Sequence, residues 1–223
     1  MNVDTLYRLW KYILGKNGTQ GYASPADFRL TLQQGQISYV SYLLGSFQSY
    51  TPGRAVAKVE FGQNSTVRQR LTPVIYGYNL SVDVSGHTPY PADFLQVDAM
   101  WSLYGLKKIR WTPQDQLAHR YGSVISPIAD NPIYLIEDRG LQFYPSNIGA
   151  AKMSYIKTPP EIVWGYTLDV NGRPVYNPTT SQDPIWDDTS VLEILVRSLR
   201  IVGVSLQFNE VSQYANEIKQ IGQ

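Results

Sequence analysis

Two histidines, His87 and His119, are the residues of this chain best suited to acid–base chemistry. An imidazole titrates near neutral pH and can act as a general base for a neighbouring hydroxyl. Ser85 lies two residues before His87, but the Ser85–Pro89 segment has the composition of a turn. His119 falls on a predicted short helix, where a surface or contact position is favoured. Two histidines do not complete a three-histidine zinc site, and no metal or cofactor is expected.

Adjacent carboxylates occur twice, at Asp187-Asp188 and at Glu137-Asp138. A glycosidase needs two carboxylates that face each other across a sugar, whereas neighbours in sequence point apart. Helix capping accounts better for the first pair, and a turn before Gly140 accounts for the second.

A basic run, Lys107 to Trp111, has two interpretations. Its cations and its indole are suited to phosphate contact and base stacking. The solvated face of a strand is the favoured interpretation. The alternative, in which a few basic side chains line a passage for DNA, is kept. The sequence contains no phosphate-binding loop of the G-x-x-x-x-G-K-[ST] type, no G-x-S-x-G elbow and no H-E-x-x-H helix. A non-enzymatic protein is therefore expected, and a divergent enzyme is the least favoured class.

The composition is that of a chain able to bury a core. It has 223 residues, of which 43% are hydrophobic and 17 are tyrosines, with no cysteine and a net charge of +1. Tyrosine suits both strands and contact surfaces, because its ring is apolar and its tip is polar. The near-neutral charge demands neither nucleic acid nor an anionic membrane as main partner. No apolar run approaches the ~18 residues that span a bilayer, so no membrane association is expected.

Helical periodicity is concentrated near the two ends of the chain. Apolar spacing predicts a helix from Val3 to Leu14, and Ser24 begins a second helix with Pro25 at its first position and Asp27 in a capping box. Asp187 or Asp188 is predicted to cap a helix that ends at Gly203. A last helix is predicted to begin at Asn209.

The long middle of the chain is predicted to be mostly β. Asn171-Gly172 is typical of a type I′ hairpin turn. Two short helices are predicted, at Ala92–Leu103 and from a Thr112 capping box to Tyr121. The predicted strands are Ala57–Phe61, Val74–Val84, Leu106–Trp111, Ile133–Glu137, Leu141–Tyr144, Lys152–Ile156, Val163–Val170 and Pro174–Tyr176.

These elements predict an α+β fold in which N- and C-terminal helices form a bundle and a large β-rich region fills the middle. The predicted division is residues 1–50 with 185–223 as the helical bundle and residues 51–184 as a β-rich domain with short helices. The 131–166 stretch is rich in tyrosine, proline and β-branched residues and has no nucleophile-and-base pair. It indicates a surface for packing.

The order of several short motifs resembles that of the ring-forming adaptor or neck proteins in the head-to-tail connector of tailed phages, notably short-tailed and crAss-like phages. The motifs span most of the chain. They are Val3–Tyr7 with Gly21–Phe28, Tyr90–Phe94, Asn131–Tyr134 with Phe143–Pro145 and Ser154–Pro160, and Asp187-Asp188 with Leu199–Leu206 and Tyr214-Ala215.

The resemblance implies a virion structural protein without catalytic activity. Such a subunit would form a closed homo-oligomeric ring, commonly twelvefold, below the portal protein. The ring would bridge the capsid vertex and the tail around the DNA channel and contact other neck and tail proteins, with nonspecific passage of DNA. Its expected location is the neck or tail region of the virion, after synthesis in the host cytoplasm.

Four aromatic residues are the candidate interface positions: Tyr134, Tyr144, Tyr155 and Trp164. Arg197 and Arg200 are candidate channel-facing residues, although helix-dipole complementation at the end of their helix is the simpler interpretation. The alternative function is a carbohydrate- or receptor-binding tail or fibre module, in which tyrosine and tryptophan platforms would stack on sugars.

Overall fold

The computed structural model describes residues 1–15, 24–45, 65–103, 107–121, 123 and 126–205. The helices there are α1 Val3–Gly15, α2 Pro25–Leu44, α3 Ser65–Leu71, α4 Gln114–Arg120 and α5 Asp188–Ser205. The strands are β1 Ile75–Ser81, β2 His87–Pro89, β3 Phe94–Ser102, β4 Arg110–Trp111, β5 Ile133–Glu137, β6 Gly140–Tyr144, β7 Ala150–Lys157, β8 Tyr166–Leu168 and β9 Pro174–Tyr176. The predicted strand Ala57–Phe61 and the predicted helix from Asn209 lie outside the described residues.

The predicted architecture, a bundle of terminal helices around a β-rich middle, is wrong. The fold is α+β, but its helices are scattered along the chain, and its strands belong to three separate sheets. Helices α3 and α4 lie within the region predicted to be a β-rich domain with short helices, and α4 is the short helix predicted to run to Tyr121. The prediction grouped helices by their position near the two ends of the sequence. In the folded chain, complementary apolar faces determine which elements pack together.

The chain divides into two compact units. The first unit comprises Met1–Pro73 with Pro159–Gln223, and the second comprises Val74–Thr158. The boundaries of these two units follow residues 73 and 158, and the division predicted at residues 50 and 184 stays a prediction. Each unit has its own buried apolar residues, and the sheets divide between them: β8 and β9 belong to the first unit and the other seven strands to the second.

Helix α2 begins as its sequence predicts. The Asp27 backbone N–H donates to the Ser24 hydroxyl at 3.1 Å, and the Ser24 backbone N–H donates to the Asp27 carboxylate at 3.0 Å. This capping box satisfies N–H groups that a helix start leaves without partners. Along α2, the predicted stripe of Phe28, Leu32 and Tyr39 is buried.

Helices α2 and α5 pack closely in the first unit. At Gly35 of α2, an added Cβ would lie 2.8 Å from the Ile194 carbonyl oxygen and 3.3 Å from the Ser198 Cβ. A glycine is therefore required for this approach of two backbones. Helix α5 contributes Leu195 and Leu199 to the buried set and continues to Ser205, so the predicted end at Gly203 is wrong.

Two sheets form the second unit. One has the order β1-β7-β3 and is antiparallel throughout; the other has the order β2-β6-β5-β4, with only β4–β5 parallel. Their apolar side chains form one cluster, which includes Leu80, Met100, Leu141, Phe143 and Met153. Burial of this cluster supplies the main favourable contribution to folding of the unit.

The helix predicted over Ala92–Leu103 is instead strand β3. It pairs with β7, with shifts of register between Phe94 and Gln96 and between Val97 and Ala99. Each shift interrupts the alternation of apolar and polar residues that identifies a strand. The remaining spacing of the apolar residues resembles that of a helix. Pairing with β7 determines the conformation, because β-propensity depends on neighbouring strands.

Two local predictions about turns are also corrected. The N-cap of α4 is Pro113, without a side-chain hydrogen bond, and the Thr112 Oγ1 is buried without a hydrogen-bond partner. In the β8–β9 hairpin the Gly172 N–H donates to the Asp169 carbonyl at 3.0 Å. Val170 and Asn171 are thus the central turn residues, whereas a type I′ turn would centre on Asn171 and Gly172.

Candidate interaction surfaces

A hairpin arm extends from the first unit. We define the arm as Tyr166–Tyr176, which is strands β8 and β9 with their turn. Asp169 closes the turn, since its carboxylate accepts from the backbone N–H groups of Asn171 and Arg173 at 2.8 Å each. This Asx-type arrangement explains why an Asp precedes the Val-Asn-Gly turn.

The base of the arm is fixed by stacked aromatic rings. The ring of Trp164 lies 4.2 Å from that of Tyr7 of α1 and 5.9 Å from those of Tyr166 and Tyr176. Its indole N–H donates to the Asp4 carboxylate at 3.1 Å. These contacts tie both strands of the arm to α1 within the first unit.

Beyond its base, the arm exposes apolar side chains. Leu168 is 65% exposed, Val170 at the tip is completely exposed, and Val175 is half exposed. Leu168 lies on the same face as Tyr166, and Val175 lies on the opposite face. A two-stranded hairpin with apolar residues on both faces is marginal in water, so this arm has the properties of a contact surface.

A second apolar surface lies at the edge of the three-stranded sheet. Strand β1 pairs with β7 on one side, and no described strand pairs with its other side. Its sequence, Ile75 to Ser81, has no charge and no proline, and its pairing with β7 is regular. Tyr76 and Tyr78 are 50% and 45% exposed. A regular edge without charge, proline or bulge is a template for pairing with another chain.

The four predicted interface aromatics occupy different environments. Tyr134 and Tyr155 are buried within the second unit, and Trp164 is buried at the base of the arm. Tyr144 is half-buried, and its ring meets that of Tyr121 edge-on at 5.9 Å. Three of the four therefore belong to the core of their own unit. The structure brings Tyr155 near Tyr76, at 5.9 Å between rings, but does not assemble the four into one surface.

Sequence reasoning missed the exposed apolar residues of the arm and of β1. For the arm, the available signal was the alternation of Leu168, Val170 and Val175 around an Asn-Gly turn. For β1, the signal was seven consecutive residues without a charge.

The predicted channel-facing arginines are both on α5. The Arg197 guanidinium lies 4.4 Å from the ring centre of Tyr42 and 5.7 Å from that of Tyr39, which places it against α2. Its Nε is buried without a hydrogen-bond partner. Arg200 is exposed. Cation–π contact accounts for the position of Arg197, and the channel-facing role of both residues stays a prediction.

The candidate chemical residues do not converge on a site. The Asp83 carboxylate accepts from the backbone N–H groups of Ser85 and His87 at 2.9 Å and 2.8 Å, which is the turn predicted around His87. Asp187 accepts from the Ser190 hydroxyl, and this hydrogen bond is the main cause that holds the pKa of the Asp187 carboxyl below its usual range. Among the described residues, no group of three acidic or histidine side chains is arranged to hold a metal ion.

Two tyrosines of the second unit have strongly shifted pKa values. Burial raises the pKa of Tyr134 to about 12. Burial also raises that of Tyr155 to about 12, assisted by its hydroxyl's hydrogen bond to the Asp93 carboxylate at 2.8 Å. Both phenols are therefore kept neutral in the folded chain.

We expect the second unit to lose stability between pH 10 and pH 12. Both phenols have a pKa of about 12 in the folded chain, above the ordinary value of 10.0. The neutral phenols therefore contribute their full stabilisation below pH 10, and this contribution is lost as the pH rises from 10 towards about 12. Denaturant unfolding at a series of pH values, followed by circular dichroism, measures the loss. A Tyr134→Phe, Tyr155→Phe chain should show a smaller loss over this range; an equal loss in both chains would contradict the assignment.

Comparison with protein-family models and with curated proteins gave no match for this chain. None of the described helices is both long and apolar enough to cross a bilayer.

Proposed function

We propose that this chain is a non-enzymatic structural subunit of the head-to-tail connector of a tailed phage. It forms a homo-oligomeric neck ring of about twelve copies below the portal protein, around the path of the DNA, in the virion. The observation that supports this most is the edge of β1, which no described strand covers, with its exposed tyrosines.

The geometry of β1 suits a contact between subunits. A closed ring requires two different patches on each subunit that meet head to tail. An edge strand supplies one such patch, since its outward N–H and C=O groups accept a further strand and its side chains add apolar area. At the end of β1 the Ser81 carbonyl already accepts from the Thr88 hydroxyl at 2.8 Å, so the groups before Ser81 would form the contact. Tyr76 and Tyr78 lie two residues apart on one face of β1, so a neighbouring subunit would cover both rings.

Electron microscopy and mass photometry of the purified chain test this proposal. We expect rings of twelve copies of the 25.2 kDa chain, about 300 kDa for each ring. A Tyr76→Lys, Tyr78→Lys chain should remain folded but fail to form rings, because two charges would be placed on the contact. Asn79→Ala, which changes the opposite face of β1 without adding a charge to the edge, is the control and should form rings.

Two results would overturn the proposal. One is a chain that stays small both alone and when mixed with a portal protein. The other is a robust hydrolytic activity that disappears in a His119→Ala variant.

The carbohydrate-binding alternative also has one observation in its favour. Tyr76 and Tyr78 form a pair of half-exposed rings on one face of a strand, which is a geometry on which sugars stack. Reproducible binding on a glycan array, lost in Tyr78→Ala, would support this alternative. The ring of Tyr76 is already engaged by Tyr155 and by the Lys157 ammonium at 5.9 Å, which leaves less of it for a ligand.

A further inference from the structure

Among the described strands, only β9 pairs with β8 of the arm, and the polar groups on the other edge of β8 can be assigned from the hairpin's hydrogen bonds. The Asp169 N–H donates to the Arg173 carbonyl, and the Asn177 N–H donates to the Gly165 carbonyl, both at 2.9 Å. Hydrogen-bonded pairs alternate along an antiparallel ladder, so Thr167 and Val175 form the pair between them. The N–H and C=O groups of the two remaining β8 residues, Tyr166 and Leu168, are therefore directed away from β9.

The opposite edge of the arm is blocked. On β9, the residues whose backbone groups point outward are Tyr176 and Pro174, because they lie opposite Tyr166 and Leu168. Proline has no N–H to donate, and it is a residue that prevents further strand addition. The arm can accept one strand at β8 and is protected from open-ended pairing at β9.

We propose that two copies of this chain associate through their arms, with β8 of one copy antiparallel to β8 of the other about a twofold axis at Thr167. In this register Tyr166 of one copy and Leu168 of its partner exchange backbone hydrogen bonds, and the two Thr167 residues face each other. The result is a four-stranded sheet that carries Pro174 at both outer edges.

The side chains of the arm favour a second copy as the occupant of this edge. The paired segment contains no like charges that would meet: Asp169 lies opposite Gly165 of the other copy, which has no side chain. Leu168 lies opposite an aromatic residue, Tyr166 of the other copy. Threonine opposite threonine is a favourable cross-strand pair. A two-stranded hairpin that is marginal alone thus becomes part of a four-stranded sheet.

This contact differs from the one that closes a ring. A twofold contact joins the same patch on both copies, whereas ring closure joins two different patches. The dimer therefore uses the arm of the first unit, and the ring proposed above uses β1 of the second. Used together, the two contacts would join two rings into a particle of 24 copies, about 600 kDa, whereas a chain that loses only the arm contact should form single rings of about 300 kDa.

A single introduced cysteine tests the register directly, because the chain has no cysteine of its own. In a Thr167→Cys chain the two cysteines would form a non-hydrogen-bonded pair with Cα atoms about 4.5 Å apart, which is within reach of a disulfide. We expect mild oxidation to convert most of the chain into a covalent dimer, detected by intact mass and non-reducing electrophoresis.

Val175→Cys is the matched control. Its two cysteines would be separated by three strand spacings, roughly 14 Å, so it should remain largely uncrosslinked under the same conditions. Equal crosslinking of the two variants, or no dimer from Thr167→Cys, would overturn the proposal. The second result would also arise if an extended segment of an unrelated partner occupied the edge.

A non-covalent test uses Leu168→Pro. This change removes an outward N–H from β8 and leaves the β8–β9 hydrogen bonds intact, because Leu168 does not take part in them. Sedimentation should show the dimer dissociation constant raised at least tenfold, with an unchanged circular dichroism spectrum. An unchanged dissociation constant in a folded variant would count against the proposed edge.

Discussion

Replacing Trp164 by alanine is expected to lower the free energy of unfolding by about 3–5 kcal/mol, the range for truncation of a buried tryptophan or phenylalanine. Trp164 is 7% exposed and contacts Tyr7, Tyr166 and Tyr176. Its loss would leave a cavity at the base of the arm and remove the donor to Asp4. Urea unfolding of the full chain, followed by tyrosine and tryptophan fluorescence, measures the change.

The same variant distinguishes a core residue from an interface anchor. If Trp164 acted in assembly, Trp164→Ala would unfold like the parent chain and only the mass of the assembled particle would fall. Trp164→Phe should retain part of the stacking and lose less stability. Trp111→Ala, which truncates a tryptophan that is 54% exposed, is the matched control and should change stability by under about 0.5 kcal/mol.

Replacing Gln36 by leucine should destabilise the first unit by about 1–3 kcal/mol, which is the cost of leaving a buried donor without its acceptor. Gln36 is completely buried on α2, and its Oε1 accepts from the Trp186 indole N–H at 2.8 Å. Its amide nitrogen donates to the Gln33 side chain at 2.9 Å and to the Pro160 carbonyl at 3.1 Å. Thermal and urea unfolding measure the effect.

A double-mutant cycle isolates the hydrogen bond. Trp186→Phe removes the indole donor, so Gln36→Leu should cost less in a chain that already carries Trp186→Phe. If the losses of unfolding free energy from the two single changes add up to that of the double variant within error, the Gln36–Trp186 hydrogen bond contributes nothing of its own. Gln33→Ala, which leaves the indole bond in place, is a control for the amide contacts of Gln36.

Local signals in the sequence predicted several elements well. The Ser24–Asp27 capping box places the start of α2, and β5 and β9 have the predicted bounds. These elements depend on contacts within a few residues or on a clear apolar period, both of which a sequence displays. Strand β3 was predicted as a helix, because its conformation follows from pairing with β7, whose paired residues are 49 to 63 positions away in sequence.

The candidate surface was less accessible to prediction than the elements. Large aromatic residues in a tyrosine-rich stretch were chosen as interface positions, yet Tyr134, Tyr155 and Trp164 are buried in their own units. Large aromatic residues are favoured both in the core of a protein and at contacts between proteins. Residue type therefore does not distinguish a core position from an interface position. The arm is the converse case, since Leu168 and Val175 have an ordinary strand pattern and no described element covers them.

The sequence by itself determined the local features: the capping box of α2, the period of most strands, the absence of cysteine and the lack of catalytic motifs. Tertiary structure alone decided that Gly35 brings two helix backbones together, that Gln36 meets Trp186, and that β1 and β8 each pair with only one described strand. The physical reason is that burial and edge exposure depend on what packs against a residue, and those neighbours are distant in the chain.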